Sequence, residues 1–161
     1  MSTVPATLES FVRSLDRPEI DFAVIADRAE IVNGKTYMMG GGWDRLNAAE
    51  VPVVHLLSFV VGLLVPWNAT NQEHILEFLL EDAEGNNVDH MRGEAHFNAG
   101  RAPFMKAGDI QRVMLAPQIP VTFPAYGTYC IRFSLNGNTA KRVLLYVSDP
   151  KLAGVSPVHL G

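Results

Sequence analysis

The stretch Phe22-Ala-Val-Ile-Ala-Asp-Arg-Ala-Glu-Ile-Val-Asn-Gly-Lys-Thr-Tyr-Met-Met-Gly-Gly-Gly-Trp-Asp-Arg-Leu46 decides the fold class. Phe22-Ala-Val-Ile-Ala26 reads as one strand. Glu30-Ile-Val32 and Lys35-Thr-Tyr-Met-Met39 flank Asn33-Gly34 as the arms of a hairpin. Asn-Gly is a strong short hairpin signal, because a type I′ turn needs positive φ at both central residues. Three glycines then lead into a polar Trp-Asp-Arg knot.

The two-residue period continues outward from this segment. His74–Asp82 sets Leu76, Phe78 and Leu80 against Glu77 and Glu81. Val88–Phe97 sets Met91, Ala95 and Phe97 against His90, Arg92, Glu94 and His96. Ile110–Leu115, Val121–Phe123, Gly127–Leu135 and Lys141–Val147 supply further strands, with tight turns at Asp82–Asn87 and Asn136–Asn138. Eight or nine strands with no helix between them predict an all-β, two-sheet antiparallel sandwich, immunoglobulin-like or jelly-roll. Residues 1–19 form an N-terminal helical extension, 20–148 the sandwich, and 149–161 an extended tail. In the extension, Thr7 caps a helix that places Leu8, Phe11, Val12 and Leu15 on one face, and Pro18 ends it.

Composition narrows the function. The chain has 161 residues, 48% of them apolar and only 19% charged, with net charge −4. Length and apolar content suit one domain with a real core. No Lys/Arg cluster offers the basic footprint that nucleic acid requires, or that an anionic membrane surface would attract. The longest apolar run, Val53–Val65, is too short for a membrane helix and is bounded by Pro52 and Pro66. Glu9 stands where a signal peptide would be basic or apolar, so a cytoplasmic protein without membrane insertion is expected. Cys130 is the single cysteine, which excludes an internal disulfide and reads as a small core or interface residue.

The run Val53–Val65 is apolar on both sides. Val53, His55, Leu57, Phe59, Val61 and Leu63 face one way; Val54, Leu56, Ser58, Val60 and Leu64 face the other. A sandwich strand is ordinarily wet on one side. The second face therefore calls for a cover, and two candidates offer one: the N-terminal helix, or a second subunit. Leu8, Phe11, Val12, Leu15, Leu56, Val60 and Leu64 are the interface candidates.

Three polar constellations are candidates for chemistry. Around Gly40-Gly-Gly42, Trp43 offers a stacking platform and Asp44 and Arg45 offer anchors for a small ligand. The plainer reading is a strand end where Trp43 caps the core and Asp44 pairs with Arg45. The stripe His90, Arg92, Glu94, His96 superficially resembles cupin ligands. However, a strand rises ~3.3 Å per residue, so His90 and His96 stand about 20 Å apart. Only Glu94 and His96, joined by His55 or His74, would reach one metal, and a solvated face is the plainer reading. Asp82, Glu84 and Asp89 sit at a turn without EF-hand spacing. No nucleophile elbow is present. No catalytic residue, metal or cofactor is expected.

Phe22-Ala-Val-Ile-Ala-Asp-Arg-Ala, Gly34-Lys35 and Gly40-Gly-Gly-Trp-Asp44 resemble the F-x-x-x-A-D-x-A … G-K … G-G-G-x-D opening of a family of small bacterial proteins common in actinobacteria. Leu80-Glu-Asp-Ala-Glu-Gly85, Pro124-Ala-Tyr-Gly-Thr-Tyr129 and Leu135-Asn-Gly137 extend the resemblance over roughly residues 21–147. That family is a domain of unknown function, so the resemblance implies an all-β fold and no activity. The expected role is contact with another protein, foremost with a further copy of itself. Ligand binding at Trp43 is the alternative, and a cupin-like metal enzyme stands third.

Overall fold

The hairpin forms where the Asn-Gly signal places it. The computed structural model describes residues 7–152. In it, strands β1 (Glu19–Val32) and β2 (Lys35–Gly41) meet at Asn33 and Gly34, whose φ values are 50° and 72°. The two runs expected within 22–32 prove to be one 14-residue strand. Its first part, Glu19–Ala26, pairs with β4 (Val53–Pro66), while Ala26–Val32 pairs with β2. Past Ala26 the hairpin leaves the sheet as a two-stranded arm. Both faces of the arm meet solvent, so Asp27 and Arg28 sit mid-strand without breaking it.

Two five-stranded sheets result. The first has the order β2-β1-β4-β7, where β7 is Ile110–Leu115. Strand β8 (Gln118–Phe123) joins the same edge of β4: β7 pairs with residues 61–66, β8 with 53–58, and the Phe59 N–H reaches Pro117 O between them at 2.9 Å. The second sheet runs β3 (Arg45–Asn47), β10 (Asn138–Ser148), β9 (Gly127–Leu135), β5 (Glu73–Asp82), β6 (Asn87–Asn98). Among the described residues, ten strands stand where eight or nine were expected. The addition is β3, three residues long and paired in parallel with β10. So short a strand leaves no periodic trace.

The arrangement β1-β4-β7/β8 over β6-β5-β9-β10 has the connectivity of an immunoglobulin-type sandwich, and the jelly-roll alternative drops out. Tyr129 adds a tyrosine corner at the start of β9. Its hydroxyl donates to Ala125 O at 2.7 Å and accepts from Ala125 N–H at 3.3 Å. The core lies between the sheets. Phe59, Phe78 and Phe133 form its centre, with ring centroids 5.4 to 6.3 Å apart. Each such ring, fully buried, contributes about 1.5–3 kcal/mol.

At the N-terminus, α1 (Leu8–Ser14) is capped by Thr7, whose side chain accepts from Ser10 N–H. Leu15, just past its end, is buried, while Phe11 and Val12 are half-buried. Leu8 stays 77% exposed. Of the tail expected over 149–161, Asp149–Leu152 makes a turn and the remainder lies outside the described residues.

Candidate functional site

The outer face of the first sheet is built by register. Val54 stands opposite Thr122, Leu56 opposite Pro120 and Ser58 opposite Gln118 along one edge of β4. On the other edge, Ala26 meets Ser58, Val24 meets Val60, and Phe22 meets Gly62. The lower part of this face closes over itself. The Phe22 ring occupies the space a Cβ on Gly62 would need, and Gln118 Nε2 donates to Ser58 Oγ at 3.2 Å. Arg112 pairs with Asp21 at 2.5 Å and lies over the Phe22 ring. Val60 is thereby buried within the chain, as is Leu15, and neither has surface left to present.

The upper part stays open. Val54 is 65% exposed and Leu56 is 52% exposed, so α1 does not cover this end of β4. Leu64 is half-buried. On the arm, Arg28 pairs with Met39 and Glu30 with Tyr37, in the same alternation as Val24 and Ala26. Tyr37 and Met39, the latter 70% exposed, thus extend the apolar face beyond the sheet. Sequence reasoning did not single out Tyr37 and Met39. The available signal was Tyr-Met-Met in a strand that has β1 on one side only.

The outer face of the second sheet is of the opposite kind. Glu81 is buried there between two guanidinium groups, Arg132 at 2.8 Å and Arg142 at 3.6 Å. Cys130, on the same strand face as Arg132, is half-buried outside the core, contrary to the core reading. Burial and the nearby Glu81 raise its thiol pKa, which disfavours the thiolate. His96 lies between Glu94 at 3.2 Å and Glu73 at 3.3 Å, and these hydrogen bonds, Glu94 first, raise its pKa.

The stripe His90, Arg92, Glu94, His96 faces solvent. The histidines that would have joined it are engaged elsewhere. His74 is buried, with Nε2 2.7 Å from Ala69 O and Nδ1 accepting from Asn136 Nδ2 at 3.0 Å. His55 packs edge-on against Trp43. Among the described residues, no group of three or more His, Cys, Asp and Glu is placed to hold a metal ion.

Gly40–Arg45 carries the chain from the first sheet to the second. Gly40 sits at φ 58°, a backbone conformation that side chains rarely adopt, and a Cβ there would have to displace the Asp27 carboxylate. Gly42 N–H donates to Ile25 O at 2.8 Å. Trp43 packs against the core, and its indole N–H is already given to Gly40 O at 2.8 Å. Asp44 lends its backbone O to Tyr146 N–H at 2.7 Å. The expected pairing of Asp44 with Arg45 is absent among the described residues; Arg45 instead stacks on the Tyr146 ring, 5.2 Å away. Two shallow hollows flank Trp43, one of about 190 Å³ on the Arg45 side and one of about 280 Å³ on the Asp44 side, both smaller than ordinary ligand sites.

Fold and surface together define the class: an immunoglobulin-type β-sandwich with one polar outer face and one apolar outer face. The chain belongs to the family of unknown function DUF6941, whose model matches residues 21–148. No curated protein matches it. Among the described residues no helix is long and apolar enough to cross a membrane.

Proposed function

We propose that this protein is a non-enzymatic, self-associating β-sandwich of the cytoplasm that works through protein–protein contact. The observation that carries the reading is the open apolar face formed by Val54, Leu56, Tyr37 and Met39. Arg28 and Glu30 of β1 lie between the β2 pair and the β4 pair, and exposed apolar groups set among polar residues in this way are a form that contact sites take. With strands ~4.8 Å apart and ~20 Å of strand length, the open ends of β4 and β8 cover roughly 200 Å², and the two-stranded arm adds roughly 200 Å². That sum is about half of the ~800 Å² per partner of a standard interface and fits a smaller, weaker contact.

Charge favours a like partner. The chain carries net charge −4, which opposes self-association over most of its surface. Around this face the charges balance: Asp21 with Arg112 by direct contact, and Asp27 and Glu30 against Arg28 and Lys35 along the arm. A two-fold contact needs a patch that tolerates itself. Light scattering at micromolar concentration tests the reading. A mass above the 17.7 kDa of one chain is expected. A strict monomer contradicts it.

A further inference from the structure

The loop between β6 and β7 carries an unusual residue. Met105 N–H closes a turn onto Ala102 O at 3.2 Å, with Pro103 and Phe104 at its two central positions. Pro followed by a residue with positive φ is the type II pattern, and the second position ordinarily takes glycine. Phe104 occupies it at φ 68° and is 97% exposed. A bulky side chain in the left-handed region is strained and has no contact in the chain to offset that strain. The loop is also braced. Gln111 accepts from Ala102 N–H at 2.9 Å and donates to Gly100 O at 2.6 Å, and Asp109 accepts from Lys106 N–H at 2.7 Å. A fixed turn thus holds an aromatic ring out in solvent, in a loop that also carries Lys106 and Arg101, the latter stacked 3.9 Å over the Trp67 ring and donating from Nε to Thr70 Oγ1.

The complement lies at the other end of the sandwich. The β5–β6 turn and the β8–β9 turn enclose a cleft of about 470 Å³. Its apolar wall includes Val88, Ala125 and Tyr126, and its rim carries Asp82, Glu84 and Asp89 with no cation among the lining residues. Asp82 is fixed as an anion, since hydrogen bonds from the Asn86 and Glu84 backbone lower its pKa. The two features are separated by the length of β6, whose 12 residues span roughly 40 Å.

We propose that copies of this chain join head to tail, Phe104 of one copy entering the acid-rimmed cleft of the next. The inference rests on the reading of self-association and adds a second contact, distinct from the sheet face. The charges are of opposite sign: the loop that bears the ring carries Arg101 and Lys106, and three carboxylates stand around the cleft. An exposed aromatic entering a pocket is a common form of interface anchor. The two surfaces differ, so the contact is heterologous and extends into rings or filaments.

The test uses the full chain carrying Leu56→Asp and Met39→Asp, which silences the sheet face. This background is expected to assemble with rising concentration beyond two copies, and high salt is expected to weaken that growth. Adding Phe104→Asp or Ala125→Trp each ends it, and mixing the two variants yields a species of twice the chain mass, because one retains the cleft and the other the ring. Phe104→Gly separates folding from contact: the melting temperature does not fall, yet assembly is lost. Where Ala125→Trp fails to fold, Glu84→Lys with Asp89→Lys replaces it. A background variant that stays monomeric, or growth indifferent to Phe104→Asp, overturns the inference. If wild type still exceeds one chain in mass, the sheet-face reading survives that failure.

Discussion

The two outer faces of the sandwich are made by the same β alternation and end up opposite in character. On the second sheet, outward positions carry Glu81, Arg132, Arg142, Glu94 and His96, which pair with one another. On the first, outward positions carry Val54, Leu56, Tyr37 and Met39, all largely exposed, with only Arg28 and Glu30 of the arm as charges among them. A sheet face that satisfies its own charges is complete in one chain. An apolar face left open is stable in water only at a cost that a partner removes. The difference leaves one side of the molecule charged and paired within the chain and the other open and apolar, and the proposed contact rests on the open side.

Substitutions test that division, and the largest effect is expected on the polar face. Glu81→Ala leaves Arg132, half-buried, without its anion and should cost about 2 kcal/mol of stability by chemical denaturation. Loss of much less would mean the second face does not depend on its pairs. On the first face, Gly62→Val drives the Phe22 ring out of its seat and should cost roughly 1–2 kcal/mol. Leu56→Asp, at an exposed position, should change monomer stability by no more than about 0.5 kcal/mol while weakening self-association. A large loss of stability there would make Leu56 a core residue and dissolve the contrast.

The smallest effect belongs to His96. Its pKa is raised in the folded chain, so its contribution to stability is present below the unfolded value near ~6.5 and fades as pH rises through the folded value. Glu94→Gln should move the His96 titration, followed by NMR, back downward. An unmoved titration would remove Glu94 as its cause.

Much of this was legible in residue patterns. Asn33-Gly34 located the hairpin because its turn geometry is local. The double alternation along Val53–Val65 revealed a second apolar face because side-chain direction follows strand period alone. What escaped depended on distant partners. Nothing local says that β1 leaves the sheet after Ala26, that Arg45–Asn47 pairs in parallel with β10, or that Phe22 and Gly62 close over Val60. Phe104 escaped for a different reason: Pro-Phe-Met reads as apolar material for a core, and only the backbone turns it outward. The candidates Trp43 and Arg45 were legible as a cluster, yet their partners, Gly40 O and Tyr146, come from the crossing of the two sheets.

The most direct test of the contrast is sedimentation equilibrium on two double variants, both in a Phe104→Asp background so that only the sheet faces are compared. One carries Leu56→Asp and Met39→Asp; the other carries Glu77→Lys and Arg92→Glu on the polar face. The first is expected to fall to the 17.7 kDa of a single chain while the second keeps the mass of its parent. Equal masses for the two, or collapse of the second alone, would contradict it.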